Sequence, residues 1–453
     1  MAEGSLQAPV RHPIPWRDPE WTDPVKLDAE MRRVFDICHG CRRCFNLCDS
    51  FPRLFTLIDD SASGELDGVK SEDFAPVVEA CTLCDMCFMT KCPYVPPHPF
   101  DLDFPHLMLR YRAAQEKHNA PKKPAEHRQK ELAKTDRNGK LAEFVAPLAN
   151  WGADINNGFG RAILGAVMEV DPHAVLPKYH ARTLTDRARI QDALNETNAN
   201  EAAPGYGRKA VIFATCFGEY NNPQIGEAAR KVLAHLGVDT VVAYPGCCGM
   251  PQLEQADLDH VAGQARKIAA ALKPYVDEGR EVISLIASCS LMLKFEWPLI
   301  LPGDEDVKRI SAATRDIDQY IVDIAKKEGL PPGLKAVDGG VALHHACHAR
   351  AQNMGAKAQE MLKLIPEQKI SLVERCSGHG GTFGVMKGTH DIAMRVGKPV
   401  ARTVKQSAAK YVASDCPLAA KHIAQGVAEQ GGPAPKNLHP VEIFARAYGL
   451  IEE

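Results

Sequence analysis

Cys38-His-Gly-Cys41-Arg-Arg-Cys44-Phe-Asn-Leu-Cys48 and, further along, Cys81-Thr-Leu-Cys84-Asp-Met-Cys87-Phe-Met-Thr-Lys-Cys92-Pro93 decide how the N-terminal part of this 453-residue chain folds. Three thiolates at two-residue intervals wrap three corners of a cubane iron–sulfur cluster, and a fourth, further on and close to a proline, turns toward a second cluster. The spacing therefore predicts crossed ligation. Cys38, Cys41, Cys44 and Cys92 would hold one 4Fe-4S cluster, and Cys81, Cys84, Cys87 and Cys48 the other. One irregularity interrupts the pattern: four residues separate Cys87 from Cys92, but three separate Cys44 from Cys48. It is expected to bend the second loop without changing the ligand count.

Two other chemistries use clustered cysteines. Zinc needs only four ligands, and paired CxxC elements would leave the third cysteine of each run idle. Disulfides belong to exported chains, whereas Met1 to Glu20 is polar and proline-rich with no apolar stretch. Fifteen cysteines without an export signal point to a reducing interior, where such thiols mean metal or redox chemistry. A cytoplasmic location is thus expected. No run approaches the ~20 apolar residues of a membrane span, so membrane association is at most peripheral, on the inner face of the cytoplasmic membrane. A formal charge of −3 gives no case for nucleic acid.

Around the runs the apolar spacing is helical: Leu27, Met31, Val34 and Phe35 within Pro24 to Asp36, and Leu107, Met108, Tyr111 and Ala114 within Phe104 to Lys117. Residues 1–119 are expected to form a helical ferredoxin-like domain carrying two clusters. Residues 120–205 read as a charged, partly helical linker. Between Glu116 and Lys140 eight basic residues (Lys117, Lys122, Lys123, Arg128, Lys130, Lys134, Arg137, Lys140) outnumber four acids. A solvated helix accounts for that run; an acidic partner or anionic lipid is the sharper alternative.

The second half repeats itself. A β-branched run, Ala210 to Thr215, ends at Cys216. Strand Thr240 to Tyr244 runs into Cys247-Cys248-Gly-Met-Pro251, and strand Val282 to Ala287 into Cys289. In the last third, Val341 to His345 leads to Cys347, Ile370 to Val373 to Cys376, and Lys410 to Ala413 to Cys416. The cysteine intervals are 31 and 42 residues in the first copy and 29 and 40 in the second. Strands alternate with helical patterns, so residues 206–330 and 331–453 should each form an α/β domain with a small parallel sheet. The fold class is then α+β multidomain, a helical two-cluster domain followed by two α/β repeats. Every one of these cysteines falls just past the carboxyl end of a strand, the edge where open α/β sheets gather ligands.

These motifs, with His345-Ala-Cys347-His348-Ala-Arg350, Cys376-Ser-Gly-His-Gly-Gly-Thr-Phe-Gly384 and Ser414-Asp-Cys416-Pro417-Leu418, carry a resemblance. The chain resembles the CCG-domain iron–sulfur proteins: the iron–sulfur subunits of anaerobic glycerol-3-phosphate dehydrogenase and glycolate oxidase, and the heterodisulfide reductases. In the last of these, a full CCG domain supplies five cysteines to a non-cubane 4Fe-4S cluster that cleaves disulfides. By that resemblance Cys216, Cys247, Cys248 and Cys289 hold a further cluster, though Ile286 stands where a fifth cysteine is expected. Cys347, Cys376 and Cys416 form a shorter set, with Ser377 in the vicinal position and Ala413 three residues before Cys416. His345, His348 and His379 are candidates to complete it around zinc or iron; hydrogen bonding within a polar loop is their ordinary alternative.

The glycines at 378, 380, 381 and 384 do not make a GxGxxG fingerprint, and close approach to an inorganic cluster explains them better. No flavin or nicotinamide signature appears elsewhere. The resemblance therefore implies an electron relay: a flavoprotein dehydrogenase donates single electrons, and a quinone or another carrier accepts them. The alternative is an enzyme reducing a disulfide or sulfur species at the first CCG site, against which Ile286 and Ser377 weigh. A zinc-bound scaffold for subunit assembly is the third. Arg42 and Arg43, lying between ligands, are expected to offset cluster charge or guide docking.

Overall fold

A computed structural model describes residues 7–118 and 124–452; Lys122 and Lys123 of the basic run lie outside them. Helix α1 (Pro24–Cys41) begins at Asp23, whose side chain accepts from the Lys26 amide, and ends at Arg42 in the left-handed conformation. It buries Leu27, Met31, Val34 and Phe35, each contributing about 1.5–3 kcal/mol of apolar burial. Helix α2 (Phe104–Lys117) packs beside it. Phe35, Phe51, Phe74 and Phe104 meet ring to ring between them, with centroids 4.6–6.1 Å apart.

Two four-stranded parallel sheets follow, in the orders β2-β1-β3-β4 and β6-β5-β7-β8. The first comprises β1 (Lys209–Phe213), β2 (Asp239–Ala243), β3 (Glu281–Ser284) and β4 (Thr314–Asp316). The second comprises β5 (Val341–His344), β6 (Ile370–Val373), β7 (Tyr411–Ser414) and β8 (Lys436–Leu438). The six strands read from sequence are present within one to three residues, while β4 and β8 are additional.

In each sheet the connections reverse direction between the first and third strands, which opens a crevice at their carboxyl ends. The register makes those ends flush. Phe213 pairs with both Ala243 and Ser284, and His344 with both Val373 and Ser414. Three loops thus leave each sheet at one level, carrying their cysteines together. The two cysteine-bearing edges meet: the Ala287 amide donates to the Asp415 carbonyl at 3.2 Å, and Ala287, Ala346 and Ala349 pack together with Cys416 and Met354.

Residues 124–205 run along both repeats. Helices α3 (Pro124–Ala133), α4 (Thr135–Phe144), α5 (Ala146–Ala153) and α6 (Gly158–Val167) come in succession. Gln129 donates to the Thr382 hydroxyl at 2.8 Å, and the Asp171 amide to the Val385 carbonyl at 2.8 Å. Buried Arg230 donates to Asp192, and Val170 bridges Met386. At the other end of the chain, Arg11 reaches Asp85 and Asp103 at 2.7 Å and Glu296 at 3.1 Å, tying the second cysteine run to the first repeat. Although burial opposes ionisation, Arg11 and His106 hold the Asp103 carboxyl down at about 2.

Candidate iron–sulfur sites

In the first N-terminal nest, burial raises the Cys38 thiol well above its usual range, and Cys92, Cys44 and Cys41 raise it further. Burial likewise pushes Cys44 to about 12, with Cys92 and Cys41 adding to it. In the second nest, burial and then Cys81 take Cys48 to about 12, and Cys87 is raised by burial, Cys84 and Cys81. Cys92 thus acts on thiols of the first run and Cys81 on Cys48, while Cys87 is raised by Cys44 of the first run as well as by Cys48.

The two loops differ where the sequence does. Cys87–Lys91 forms one π-helical turn, in which the Cys92 amide donates to the Cys87 carbonyl at 2.8 Å. A π-turn absorbs one residue more than an α-turn, so the longer interval is taken up within the helix. Leu83 (φ 48°) and Asp85 (φ 62°) lie in the left-handed region, a strained conformation that recurs where a loop is moulded around a ligand. Backbone amides face the sulfurs: those of Ser50 and Phe51, opening a helix, lower Cys48 against its burial, as the Leu83 amide does for Cys81. Arg42 is engaged by Asp59 and lies over Phe55, whereas exposed Arg43 offsets charge on Cys44 and Cys92.

The first repeat gathers four thiols as two touching pairs. Cys247 Sγ lies 3.6 Å from Cys216 Sγ, and Cys248 Sγ 3.2 Å from Cys289 Sγ. Cys247, hydrogen-bonded with Cys216 and next to Cys248, is held well below the usual thiol range, while Cys216 and Cys248 are raised. Buried Trp297 donates to the Cys248 carbonyl at 2.9 Å, fixing the vicinal pair. Ile286 is buried beside them.

One contributor escaped sequence reasoning. The Thr135 hydroxyl, opening α4, donates to Cys216 Sγ at 3.4 Å and Cys247 Sγ at 3.5 Å. Next to it Asp136 accepts from the Tyr244 hydroxyl at 2.5 Å. A Cβ on Gly139 would stand 2.2 Å from the Tyr220 ring, so α4 seats directly on the first site. A lone threonine in a charged run gives no sequence signal for this.

In the second repeat burial raises Cys347, with Cys376 and Cys416 adding to it, and lifts Cys416 to about 11 against the Ala419 and Leu418 amides. The Gly378 amide donates to Cys376 Sγ at 3.4 Å. The close approach at Gly378 is to helix α7 (His390–Ser407), since a Cβ there would stand 1.9 Å from the Ala393 carbonyl. Helix packing therefore accounts for this glycine, where the sequence suggested approach to a cluster. Among the histidines, His348 Nδ1 bonds the Ser288 hydroxyl at 2.9 Å and His345 Nδ1 faces Glu374 at 3.3 Å; the Nε2 atoms of both are buried without a hydrogen-bond partner. Burial holds His379 well below its ordinary value, and its ring lies 6.0 Å from that of His422.

The sites adjoin one another. Cys84 is raised by burial and then by Cys347 and Cys376, which brings the second N-terminal nest beside the second repeat. Cys416 in turn is raised in part by Cys289.

A tetrahedral zinc with four 2.3 Å bonds would bring its sulfurs to within about 3.8 Å of one another. Among the described residues, the set of three ligand-type side chains drawn within 4.8 Å is Asp318, Asp415 and His439. There His439 Nδ1 is occupied in accepting from the Val441 amide. Among the described residues no three cysteine sulfurs share that spread; the cysteine sets are buried or half-buried, rich in sulfur and supplied with amide donors, a donor set that suits iron–sulfur clusters.

The cysteine-rich domain family CCG matches residues 210–294 and 341–421. The chain is similar to a subunit of the anaerobic glycerol-3-phosphate dehydrogenase of Escherichia coli, 28% identical over 63% of this chain and 69% of that one. It is also similar to a subunit of the fumarate reductase (CoM/CoB) of Methanothermobacter marburgensis, 24% identical over 62% of this chain and 54% of the relative. Lactate utilization protein A of a Geobacillus strain is 27% identical over 52% of this chain and 98% of its own length. The chain thus carries the CCG cysteine-rich domain twice, with cysteines at the same edge of both sheets.

Proposed function

We propose that this protein is an iron–sulfur electron relay, passing single electrons from a flavoprotein dehydrogenase to a quinone or another redox carrier. The observation that carries the reading is the succession of cysteine loops in contact: a Cβ on Gly380 of the second repeat would stand 2.6 Å from Thr82 of the second cysteine run, and the Ala287 amide, near Cys289, donates to the Asp415 carbonyl, next to Cys416, at 3.2 Å. In this reading Cys38, Cys41, Cys44 and Cys92 hold one 4Fe-4S cluster, and Cys81, Cys84, Cys87 and Cys48 a second. Cys216, Cys247, Cys248 and Cys289 hold a further cluster. Cys347, Cys376 and Cys416, with His345 or His348, hold zinc or iron. When bound, these groups supply one-electron storage and exchange.

The chain's own residues set the conditions. Burial raises the thiols of Cys38, Cys44, Cys48, Cys87, Cys347 and Cys416, so metal uptake there releases protons. The amides facing Cys48, Cys81 and Cys416 favour the charged sulfur, and Thr135 does so at the first repeat. The glycerol-3-phosphate dehydrogenase and fumarate reductase relatives are both named as subunits, which supports a partner protein. The reductase reading has less support, because Ile286 and Ser377 replace ligands that disulfide cleavage would use.

Anaerobic purification with iron, acid-labile sulfide and flavin analysis tests the relay. About eight irons from two cubanes, additional iron from the repeats and a co-purifying flavoprotein are expected. Material without inorganic sulfide overturns the assignment. A solitary, flavin-free protein that reduces disulfides replaces it with the reductase reading.

A further inference from the structure

The two N-terminal cysteine runs are covered differently. In the second, Leu83, Asp85, Met86 and Phe88 are buried. Arg11 pairs with Asp85 and lies over the Phe88 ring at 4.5 Å, while the second repeat closes on Thr82. In the first run the residues between the cysteines stay open: Arg42, Arg43, Phe45 and Asn46 are all exposed. The protein's own domains thus cover one ferredoxin-like loop and leave the other bare.

Two cations stand at that opening. Arg43 precedes Cys44 and Lys91 precedes Cys92, two thiols assigned above to the same cluster. Both are exposed, and among the described residues neither forms an ion pair, whereas Arg42 is engaged by Asp59 and Arg53 by Asp49. Burial raises the Cys44 thiol, and the charges of Lys91 and then Arg43 oppose it, so both act on one sulfur. Asp36 lies two residues before Cys38, about 200° around α1 and so on the far side of the helix.

Between Cys44 and Cys48 an aromatic side chain faces water. Phe45 is 52% exposed, and its ring stacks on that of buried Phe55 at 6.2 Å with the planes 8° apart. An exposed phenylalanine alone is ordinary. One backed by a second ring and set beside an arginine has the make-up of a binding hot spot. A single aromatic with two cations gives a small contact, the size class of transient electron-transfer encounters. It offers too little apolar surface to seat in a bilayer.

We infer that residues 41–48, together with Lys91, form the docking face for a redox protein that is acidic around its own electron carrier. Phe45 seats at the centre of the contact, and Arg43 and Lys91 meet the partner's carboxylates. Opposite charge there speeds and orients the encounter. This rests on the relay reading and adds the partner's chemistry and the place where it meets the chain.

The test uses the full, anaerobically purified protein with flavodoxin hydroquinone, a small acidic flavoprotein, as the probe. Each hydroquinone is oxidised to its semiquinone as one cluster gains the electron, and stopped-flow absorbance follows the bleaching. The second-order rate constant should fall as ionic strength rises. Arg43→Glu with Lys91→Glu should lower it by about tenfold or more at low salt and flatten that dependence. Phe45→Ala should slow the reaction roughly fivefold at every salt concentration. A rate that rises with salt, or a salt slope unchanged in the Arg43→Glu/Lys91→Glu variant, overturns the docking face. So does a dimer in light scattering that Phe45→Ala dissociates, because the occupant would then be a second copy. Photoreduced deazaflavin, a small neutral reductant, reads the relay separately. Full bleaching by it in every variant shows intact clusters, so failure of the flavodoxin salt slope then sinks the docking face alone. Absence of any bleachable cluster sinks the relay reading, and this inference with it.

Discussion

The two CCG repeats share strand order, register and the position of every cysteine loop, yet they differ in what the loops carry. In the first, Cys247 and Cys248 sit side by side and the thiols touch in pairs. In the second, Cys376 is followed by Ser377, which accepts from the His379 amide at 3.3 Å. The surroundings diverge as well. The first site is closed by Thr135 from the strap that runs along both repeats, whereas the second lies toward Cys84 of the N-terminal domain. A parallel sheet with flush carboxyl ends brings three loops together whatever they bear. Scaffold and ligand inventory can therefore change independently.

Making one repeat resemble the other is the strongest test. Cys248→Ser gives the first repeat the vicinal pattern of the second. It should abolish iron and sulfide at the first site and leave those of the N-terminal nests in place, read by metal and sulfide analysis. The Trp297 bond to the backbone of residue 248 survives the substitution, so the loop should keep its course. The reverse change, Ser377→Cys, restores a vicinal thiol. It should raise metal content at the second repeat and alter its paramagnetic spectrum; an unchanged content would show that the second repeat lacks more than a ligand.

A smaller effect is expected where the strap meets the first site. The Thr135 hydroxyl donates to two sulfurs, and such a bond stabilises the more negative, reduced form. Thr135→Val should shift the first-site reduction potential to more negative values, and Thr135→Ser should restore it. The second repeat, without this contact, should keep its potential in both variants.

Much of this comparison was legible in the chain. The repeat was visible because β-branched runs end at cysteines with nearly equal spacing, and Leu27, Met31, Val34 and Phe35 declared the buried face of α1. Strands β4 and β8 were not, since Thr314-Arg315-Asp316 and Lys436-Asn437-Leu438 are short and polar and owe their conformation to pairing with β3 and β7. Arg11 and Thr135 were hidden for another reason. Each acts across 74 residues or more, on Asp85 or on the first-site thiols, and a single arginine or threonine in a polar segment has no periodicity to reveal it. The outward apolar face of α6 could not be read from the chain either, because spacing marks which residues share a helix face but not whether the fold covers that face.

The contact between the repeats offers the mildest probe. Glu254, from the first repeat, would lie 2.7 Å from a Cβ built on Gly381 of the second, and its own carbonyl accepts from Arg112 of the N-terminal domain at 2.9 Å. Burial lifts its carboxyl to about 7, although Arg112 pulls the other way. Because the folded-state value lies above the unfolded one, near 4.5, the folded protein binds the proton more tightly. Stability contributed by the neutral acid is fully present below pH ~4.5 and is lost as pH rises through ~7. Glu254→Gln, neutral throughout, should raise the melting temperature at pH ~8 by a few degrees and change it little at pH ~5. An equal shift at both pH values would mean that Glu254 acts through packing, and that charge at the seam between the repeats does not couple them to pH.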